Sequence, residues 1–221
     1  MFLNEKKTKA MIINFTQKYQ FTTRLKLNDT HLEIVDSMKI LGTILNNKLD
    51  WNQNCKNLVS KVNKRMLLLR KMHSFGASQS DMVHLWVVYC RSVLEQSAVL
   101  WQGGLTEENR ESLERTQKSF VKLIMKGKVT NYEESLSQLN LLTLDKRRDI
   151  LSLRWAKKCL ANEKTAKMFP LTQKNHDYPL RKQEKYKVFR ANTQRMKNSP
   201  IIYMQHFLNK DHEEYPTPFA S

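Results

Sequence analysis

The sequence predicts a mainly α protein: a helical bundle, preceded by a small antiparallel β-sheet and followed by a basic, extended C-terminal tail. Three observations carry that reading. Short apolar and alternating runs at the start give way near Asp50 to apolar residues at helical spacing. Helix-opening residues and glycine stops then punctuate the chain at intervals of helix length. Beyond residue 163, large apolar residues thin out, Lys and Arg accumulate, and Pro170 and Pro179 interrupt the chain.

The first part, 1–48, holds an apolar run over 10–15 and an alternating run over 21–27, with Phe21, Thr23, Leu25 and Leu27 on one face. Asn28-Asp29 is a turn signal, and runs at 32–35 and 39–45 follow. A sheet this small needs something to pack on. In the second part, 49–162, Trp51, Cys55, Leu58, Val59, Val62, Met66 and Leu69 share one side of a helix, with Asp50 as N-cap and Gly76 as stop. A helix over 80–101 is apolar around most of its circumference, which predicts the buried centre of a bundle, ended by Gly103-Gly104. Thr106 opens a third helix with Glu107 and Glu108 in its first turn, where the helix dipole favours them; Gly127 closes it. A short helix over 132–139 precedes a longer one that Thr143 caps, with Leu144, Ile150, Leu151, Trp155 and Cys159 as core candidates. The third part, 163–221, is a basic, partly disordered tail with a short amphipathic helix over 200–208.

Composition narrows function more by exclusion than by assertion. The odd trio Cys55, Cys90 and Cys159 offers no C-x-x-C pair, so zinc ribbons and disulfide frameworks lack support. Each Cys sits in an apolar run, as a reduced core residue would, which fits a nuclear or cytoplasmic setting. No apolar stretch is long enough to span a membrane, and the first residues lack the apolar core of a signal peptide. A metal-dependent polymerase or nuclease needs clustered carboxylates. The pairs Glu107-Glu108 and Glu133-Glu134 instead sit at helix starts, where the dipole accounts for them. The six histidines are scattered, and no H-x-D, H-E-x-x-H or G-x-S-x-G motif occurs. Five glycines leave no phosphate-cradling loop. The expectation is therefore a chain that is not an enzyme on its own, with no catalytic residue, no metal site and no cofactor.

Charge points toward a polyanion. Lys and Arg number 38 against 21 Asp and Glu, a net +17. The excess is uneven: residues 141–197 carry 16 basic and 5 acidic side chains, residues 51–102 carry 7 and 2, and the third helix region is neutral. Uneven charge predicts a basic face. Lys56, Lys64 and Lys71 fall on the solvent side of the first helix, and Lys146, Arg147 and Arg148 open another. Arg181, Lys182, Lys185, Arg190, Arg195 and Lys197 form a cluster in the tail. These twelve are the candidate phosphate-binding residues; Trp51, Trp86, Trp101 and Trp155, at helical core spacing, are read as core rather than base-stacking platforms.

The order of local patterns resembles one family. Leu3-Asn4-Glu5-Lys6-Lys7-Thr8-Lys9-Ala10-Met11 is similar to the L-N-x-x-K-T-K-x-M stretch near the end of the palm of LINE-type (non-LTR) retrotransposon reverse transcriptases. The segment from Val35 to Gly42, with Lys39 and Leu41, followed by Leu49-Asp50-Trp51, resembles the family's V-x-x-x-K-x-L-G segment and its later L-x-W. Lys64-Arg65 with Leu69-Arg70 resembles the basic pattern of the first thumb helix. Tyr89-Cys90-Arg91-Ser92-Val93-Leu94-Glu95 with Trp101 resembles Y-x-R-S-x-L-E-Y and a following W, with Gln96 in place of the aromatic. Leu113-Glu114 with Gln117-Lys118-Ser119-Phe120 is similar to L-E-x-x-Q-K-x-F, and Thr143-Leu144 with Arg147-Arg148 to T-L-x-x-R-R. Arg195, Asn198-Ser199-Pro200, Tyr203 and Leu208-Asn209 resemble the close of such reading frames.

The resemblance implies a palm remnant over 1–48 and a thumb-like bundle over 49–162, which in polymerases packs beside the primer–template duplex. It implies partners that are RNA, DNA or hybrid duplex, together with the rest of a reverse transcriptase, and no membrane. The family's catalytic aspartate pair precedes the segment matched here, so no position is assigned to catalysis, and magnesium is expected only for the complete polymerase. Two alternatives stand beside it. One is a protein-interaction module docking on a larger polymerase, motivated by the apolar helix over 80–101. The other is remote: the helical middle also resembles a short N-terminal segment assigned to an AlkB-type RNA dioxygenase with a methyltransferase domain, whose iron-binding H-x-D pair and glycine-rich loop do not occur here.

Overall fold

The computed structural model describes residues 4, 8–15, 25–28, 30–126, 131–172 and 184–210. Phe21, Thr23, Gly127, Pro179 and the end around 215–218 lie outside the described residues. The strands are β1 (Lys9–Ala10), β2 (Lys26–Leu27), β3 (Thr30–His31), β4 (Glu33–Ile34), β5 (Ser37–Ile40) and β6 (Thr43–Asn46). The helices are α1 (Asn52–Ser74), α2 (Gln79–Leu85), a π-helical segment (Trp86–Arg91), α3 (Ser92–Leu94), α4 (Ala98–Trp101), a 3-10 turn (Gln102–Gly104), α5 (Glu107–Ile124), α6 (Tyr132–Gln138), α7 (Leu144–Leu160), α8 (Glu163–Ala166), α9 (Gln194–Lys197) and α10 (Pro200–Lys210). Helix dominates, as the sequence predicts.

The strands pair as three two-stranded ladders rather than one antiparallel sheet: β2–β3 and β5–β6 are antiparallel, whereas β1–β4 is parallel. Alternation along a strand sets the face it buries but carries nothing about the direction of its partner. The expected turn at Asn28 is present, with φ 51° between paired Leu27 and Thr30. The run over 39–45 is a hairpin, not a single strand. Ile40 pairs with Thr43 across a two-residue turn in which Leu41 and Gly42 have φ of 47° and 91°, the primed geometry whose twist suits its strands. A Cβ at Gly42 would displace the Gln96 amide that sits against it. That amide donates to the Leu41 carbonyl at 2.9 Å, so Gln96 ties the hairpin to the bundle.

Helix ends follow local chemistry. Helix α1 starts one residue later than expected, with Trp51 at the N-cap, yet Asp50 still accepts the Asn52 amide at 3.2 Å. Gly76 (φ 81°) closes it: the Gly76 and Ala77 amides donate to the carbonyls of His73 and Met72, each at 3.1 Å. Thr106, Asn131 and Thr143 cap α5, α6 and α7 through side-chain oxygens.

The expected helix over 80–101 is broken into pieces. The π-helical turn widens the spiral at Trp86–Arg91, and Ser97, with φ 53°, ends the run before α4. The carbonyls loosened by the widened turn find side-chain donors. Ser92 Oγ donates to Val88 O at 2.6 Å, and Arg65 donates to Tyr89 O while stacking 4.4 Å over the Tyr89 ring. Trp86 and Cys90 face inward, but Val88 and Tyr89 are exposed, so this element is buried on one side only.

The main core joins α1, α2, the π-helical turn, α4, α5, α6 and the start of α7. Trp86 stacks on Phe120 with centroids 4.6 Å apart and 12° between planes, worth about 0.5–1.5 kcal/mol beyond area burial. Trp86 and Trp101 are fully buried as expected; Trp51 is half-buried, and Trp155 is exposed, a correction to its core reading. Helix period marks a face, but a bundle edge leaves part of that face uncovered. All three cysteines are buried and free, and burial pushes the Cys55 and Cys90 thiols up to about 11.

A second core corrects the extended tail. Leu153, Ala156 and Cys159 of α7 pack with Phe169 and with Met204 and Leu208 of α10. Polar side chains of α10 hold the chain over it: Gln205 accepts the Phe189 amide at 3.0 Å and donates to Met168 O at 2.9 Å. Asn209 holds both the amide and the carbonyl of Tyr186, at 2.8 and 2.9 Å. The described parts of 163–210 therefore fold back onto α7.

Candidate nucleic-acid interface

The α1 periodicity that buries Cys55, Leu58, Val62, Met66 and Leu69 necessarily turns Lys56, Lys64 and Lys71 outward, and all three are exposed. Fifteen residues of helix separate the first from the last, about 22 Å at the helical rise. Lys56 and Lys64 line a shallow groove of about 480 Å³ with Val59, Asn63, Leu67 and, from α5, Ser112. Asn109 Nδ2 donates to Asn52 Oδ1 at 2.6 Å near the α1 start and helps fix α5 beside it.

The remaining candidates separate into four groups. Lys146 is exposed in the first turn of α7, where its amide donates to Thr143 Oγ1 at 3.3 Å. Lys185, Arg190, Arg195 and Lys197 are exposed; Lys185 sits 5.5 Å from the Tyr186 ring, and the Arg195 guanidinium lies 4.3 Å over Phe15. Arg181 and Lys182 lie outside the described residues.

Arg148 does not belong to the interface. Its residue exposure is 0%, so no phosphate can reach it. Its Nε donates to Gln102 Oε1 at 2.6 Å, Asp145 Oδ1 lies 3.4 Å from Nη2, and the guanidinium lies 5.6 Å from the Trp101 ring. Gln102, also fully buried, donates from Nε2 to both Asp145 and Asp149 at 2.9 Å, and Arg110 closes on Asp145 and on Gln102 O. Tyr203 of α10 completes the network by donating to Asp149 at 2.7 Å. Burial works against the Asp145 carboxylate, but the Gln102 amide and the Arg110 and Arg148 cations outweigh it and hold its pKa down. Asp149 goes the other way: burial, aided by Asp145, pushes its carboxyl up despite the Tyr203 and Gln102 hydrogen bonds. Arg147 is half-committed, with Nε 2.9 Å from Glu95 Oε1.

The 3-10 turn sits between the start of α1 and the α9–α10 junction. A Cβ on Gly103 would lie 2.8 Å from Asn198 O and from the Tyr203 ring, and one on Gly104 would lie 2.7 Å from the Trp51 indole nitrogen. The Gly103-Gly104 pair, read in the sequence as a helix stop, is a place where backbone and rings must touch. Asn198, which follows Lys197, is thereby held near the start of α1.

No protein-family model, curated protein or solved structure matches this chain. Among the described residues, no three His, Cys, Asp or Glu side chains gather as a metal-holding group, and no helix is long and apolar enough to cross a membrane.

Sequence reasoning missed part of the basic surface. The third helix is neutral only on average: Glu107, Glu108 and Glu111 occupy its start, whereas Lys118 and Lys122 are exposed farther along, Arg115 being paired with Glu111. The order of charges would have revealed this where their sum did not.

Proposed function

We propose that this chain is a non-catalytic portion of a LINE-type RNA-directed DNA polymerase that binds nucleic-acid duplex without sequence preference. The supporting observation is the allocation of charge. Ion pairs among the described residues engage Lys9, Arg91, Arg110, Arg115, Arg147 and Arg148. Lys56, Lys64, Lys71, Lys146, Lys185, Arg190, Arg195 and Lys197 make no ion pair among those residues. Cations without protein carboxylates are available to release counterions from a phosphate backbone. The α1 row alone spans the length of roughly thirteen duplex phosphates at one charge per 1.7 Å. The rest of a reverse transcriptase is a proposed partner, a nuclear or cytoplasmic setting the proposed location. No cofactor belongs to this portion; magnesium belongs to the complete polymerase.

Fluorescence anisotropy with an RNA–DNA hybrid tests the reading. Three α1 contacts predict a loss of about 40-fold in affinity between 50 and 200 mM salt, and further contacts steepen it. Replacing Lys56, Lys64 and Lys71 together with Ala lowers the log–log salt slope by about 2.7. A flat response of the unmodified chain to salt refutes the proposal, and so does nucleotide incorporation by this chain supplied with magnesium and primer–template.

A second reading, docking onto a larger polymerase, has one observation in its favour. Leu68 and Met72 share a face of α1 and are exposed, as is the following C-cap residue Phe75, by 84%. A clean monomer in light scattering that binds no hydrophobic dye counts against it.

A further inference from the structure

A cleft of about 620 Å³ separates α2 and the π-helical turn from the loop between α6 and α7. Val83, Val87, Leu139, Leu141 and Leu142 line it with aliphatic character, and Gln138 and Asn140 add amides. Its charged lining is Arg91 and Arg147, with no carboxylate among the lining residues. Glu95 stands behind both cations: Arg147 Nε donates to Oε1 at 2.9 Å, and Arg91 Nε lies 3.3 Å from the same oxygen. These side chains are only 15–24% exposed. A guanidinium carries five N–H donors, so a single carboxylate oxygen leaves most of this donor capacity unused among the described residues. Burial lowers the proton affinity of Arg91; Glu95 opposes that and Arg147 adds to it.

Two cations against one anion in a sheltered cleft favour one further anion. The walls decide what else the ligand carries. No aromatic side chain lines the cleft, so a nucleobase has no stacking platform. The volume falls within the roughly 300–1,000 Å³ of small-molecule sites. We propose that this cleft binds a small aliphatic carboxylate, the carboxylate bridging Arg91 and Arg147 and the chain lying along Val83, Val87 and Leu142. The site is separate from the α1 row and stands whether or not that row binds nucleic acid.

The probe is octanoate, titrated into the full chain while the Arg91 and Arg147 Nε–H signals are followed by nitrogen-15 NMR. Both signals move together, with a Kd of about 1 mM or tighter. Adenosine monophosphate and a short leucine- and glutamate-rich peptide, added at the same concentration, leave them in place. Glu95→Gln, which removes the competing carboxylate, tightens octanoate binding about fivefold, and Arg91→Gln weakens it about tenfold. Ser80→Trp fills the cleft from its rim and abolishes binding while Arg91, Glu95 and Arg147 stay in place and far-ultraviolet circular dichroism is unchanged. Immobile Arg signals at about 10 mM octanoate, tighter binding of the nucleotide or the peptide, or a Glu95→Gln variant that binds octanoate no better, each overturns the site.

Discussion

Lys64 and Arg148 are both cations on long helices, yet one faces water and the other is sealed in the core. Around Lys64 the neighbours are Ser60, Asn63, Leu67 and open solvent. Around Arg148 stand Asp145 one turn back, Gln102 and Trp101 from a distant stretch, and Asp149 beside it. Basic residues therefore cannot be pooled by sequence count. A cation contributes to a binding surface only when the fold leaves it exposed or leaves its donors unfilled; Arg148 is buried, at 0% exposure.

The strongest way to break that contrast is to remove each charge. Arg148→Met strands the buried Gln102 Oε1, leaves the buried Asp149 and the partly exposed Asp145 without this cation, and costs about 3–5 kcal/mol in urea unfolding. Lys64→Ala changes stability by less than about 0.5 kcal/mol and shows instead in the salt dependence of duplex binding. Equal stability effects at the two positions would erase the distinction.

The next effect tests the contact that holds α10 to the network. Gly103→Ala drives a methyl into Asn198 O and the Tyr203 ring and costs about 1–3 kcal/mol. Thermal unfolding followed by circular dichroism measures it, and an unchanged Tm means that the two segments are not pressed together.

The pH response sharpens the inner half of the comparison, because its two carboxyls have opposite signs. Asp145 is held below its unfolded pKa, so its contribution is present above that value and fades as pH falls through the folded one. Asp149 is raised, so its ionisation costs stability as pH climbs from the unfolded pKa through the folded one. Asp145→Asn therefore lowers the urea midpoint at neutral pH, and Asp149→Asn raises it; both differences shrink once the wild-type carboxyls are protonated. Midpoints that move the same way in both variants refute the assignment.

The smallest effect lies far from the network. Leu41 is 91% exposed and holds a left-handed backbone, which disfavours a leucine by about 1–2 kcal/mol. Leu41→Asn is expected to stabilise the protein by about 0.5–1 kcal/mol, since Asn suits this turn and no packed side chain is lost. Destabilisation would show that the leucine packs in a way its exposure does not reveal.

Much of the helical plan was readable because it is local. The Thr106 and Thr143 caps, the Gly76 closure and the α1 apolar stripe each depend on atoms within about one helical turn, up to four residues away. The Leu41-Gly42 hairpin was also local but was passed over, because a leucine in the first turn position hid a signal that asparagine would have announced. Of the candidate interface, the exposed Lys56, Lys64 and Lys71 row was legible from helical period alone. Nothing local distinguished Arg147 and Arg148 from it: their partners Glu95 and Gln102 are more than forty residues away in sequence.

From the sequence alone came the helices, their caps, the apolar faces they present and the excess of positive charge, since period, side-chain chemistry and ionisation are properties of neighbours along the chain. Tertiary structure alone decided that Arg148 is internal, that Gly103 is a point of contact, that the described parts of 163–210 fold back through α10, and that Arg91 and Arg147 share Glu95 beside a cleft. Those outcomes rest on desolvation and steric contact between distant segments, and such forces have no value until the segments meet.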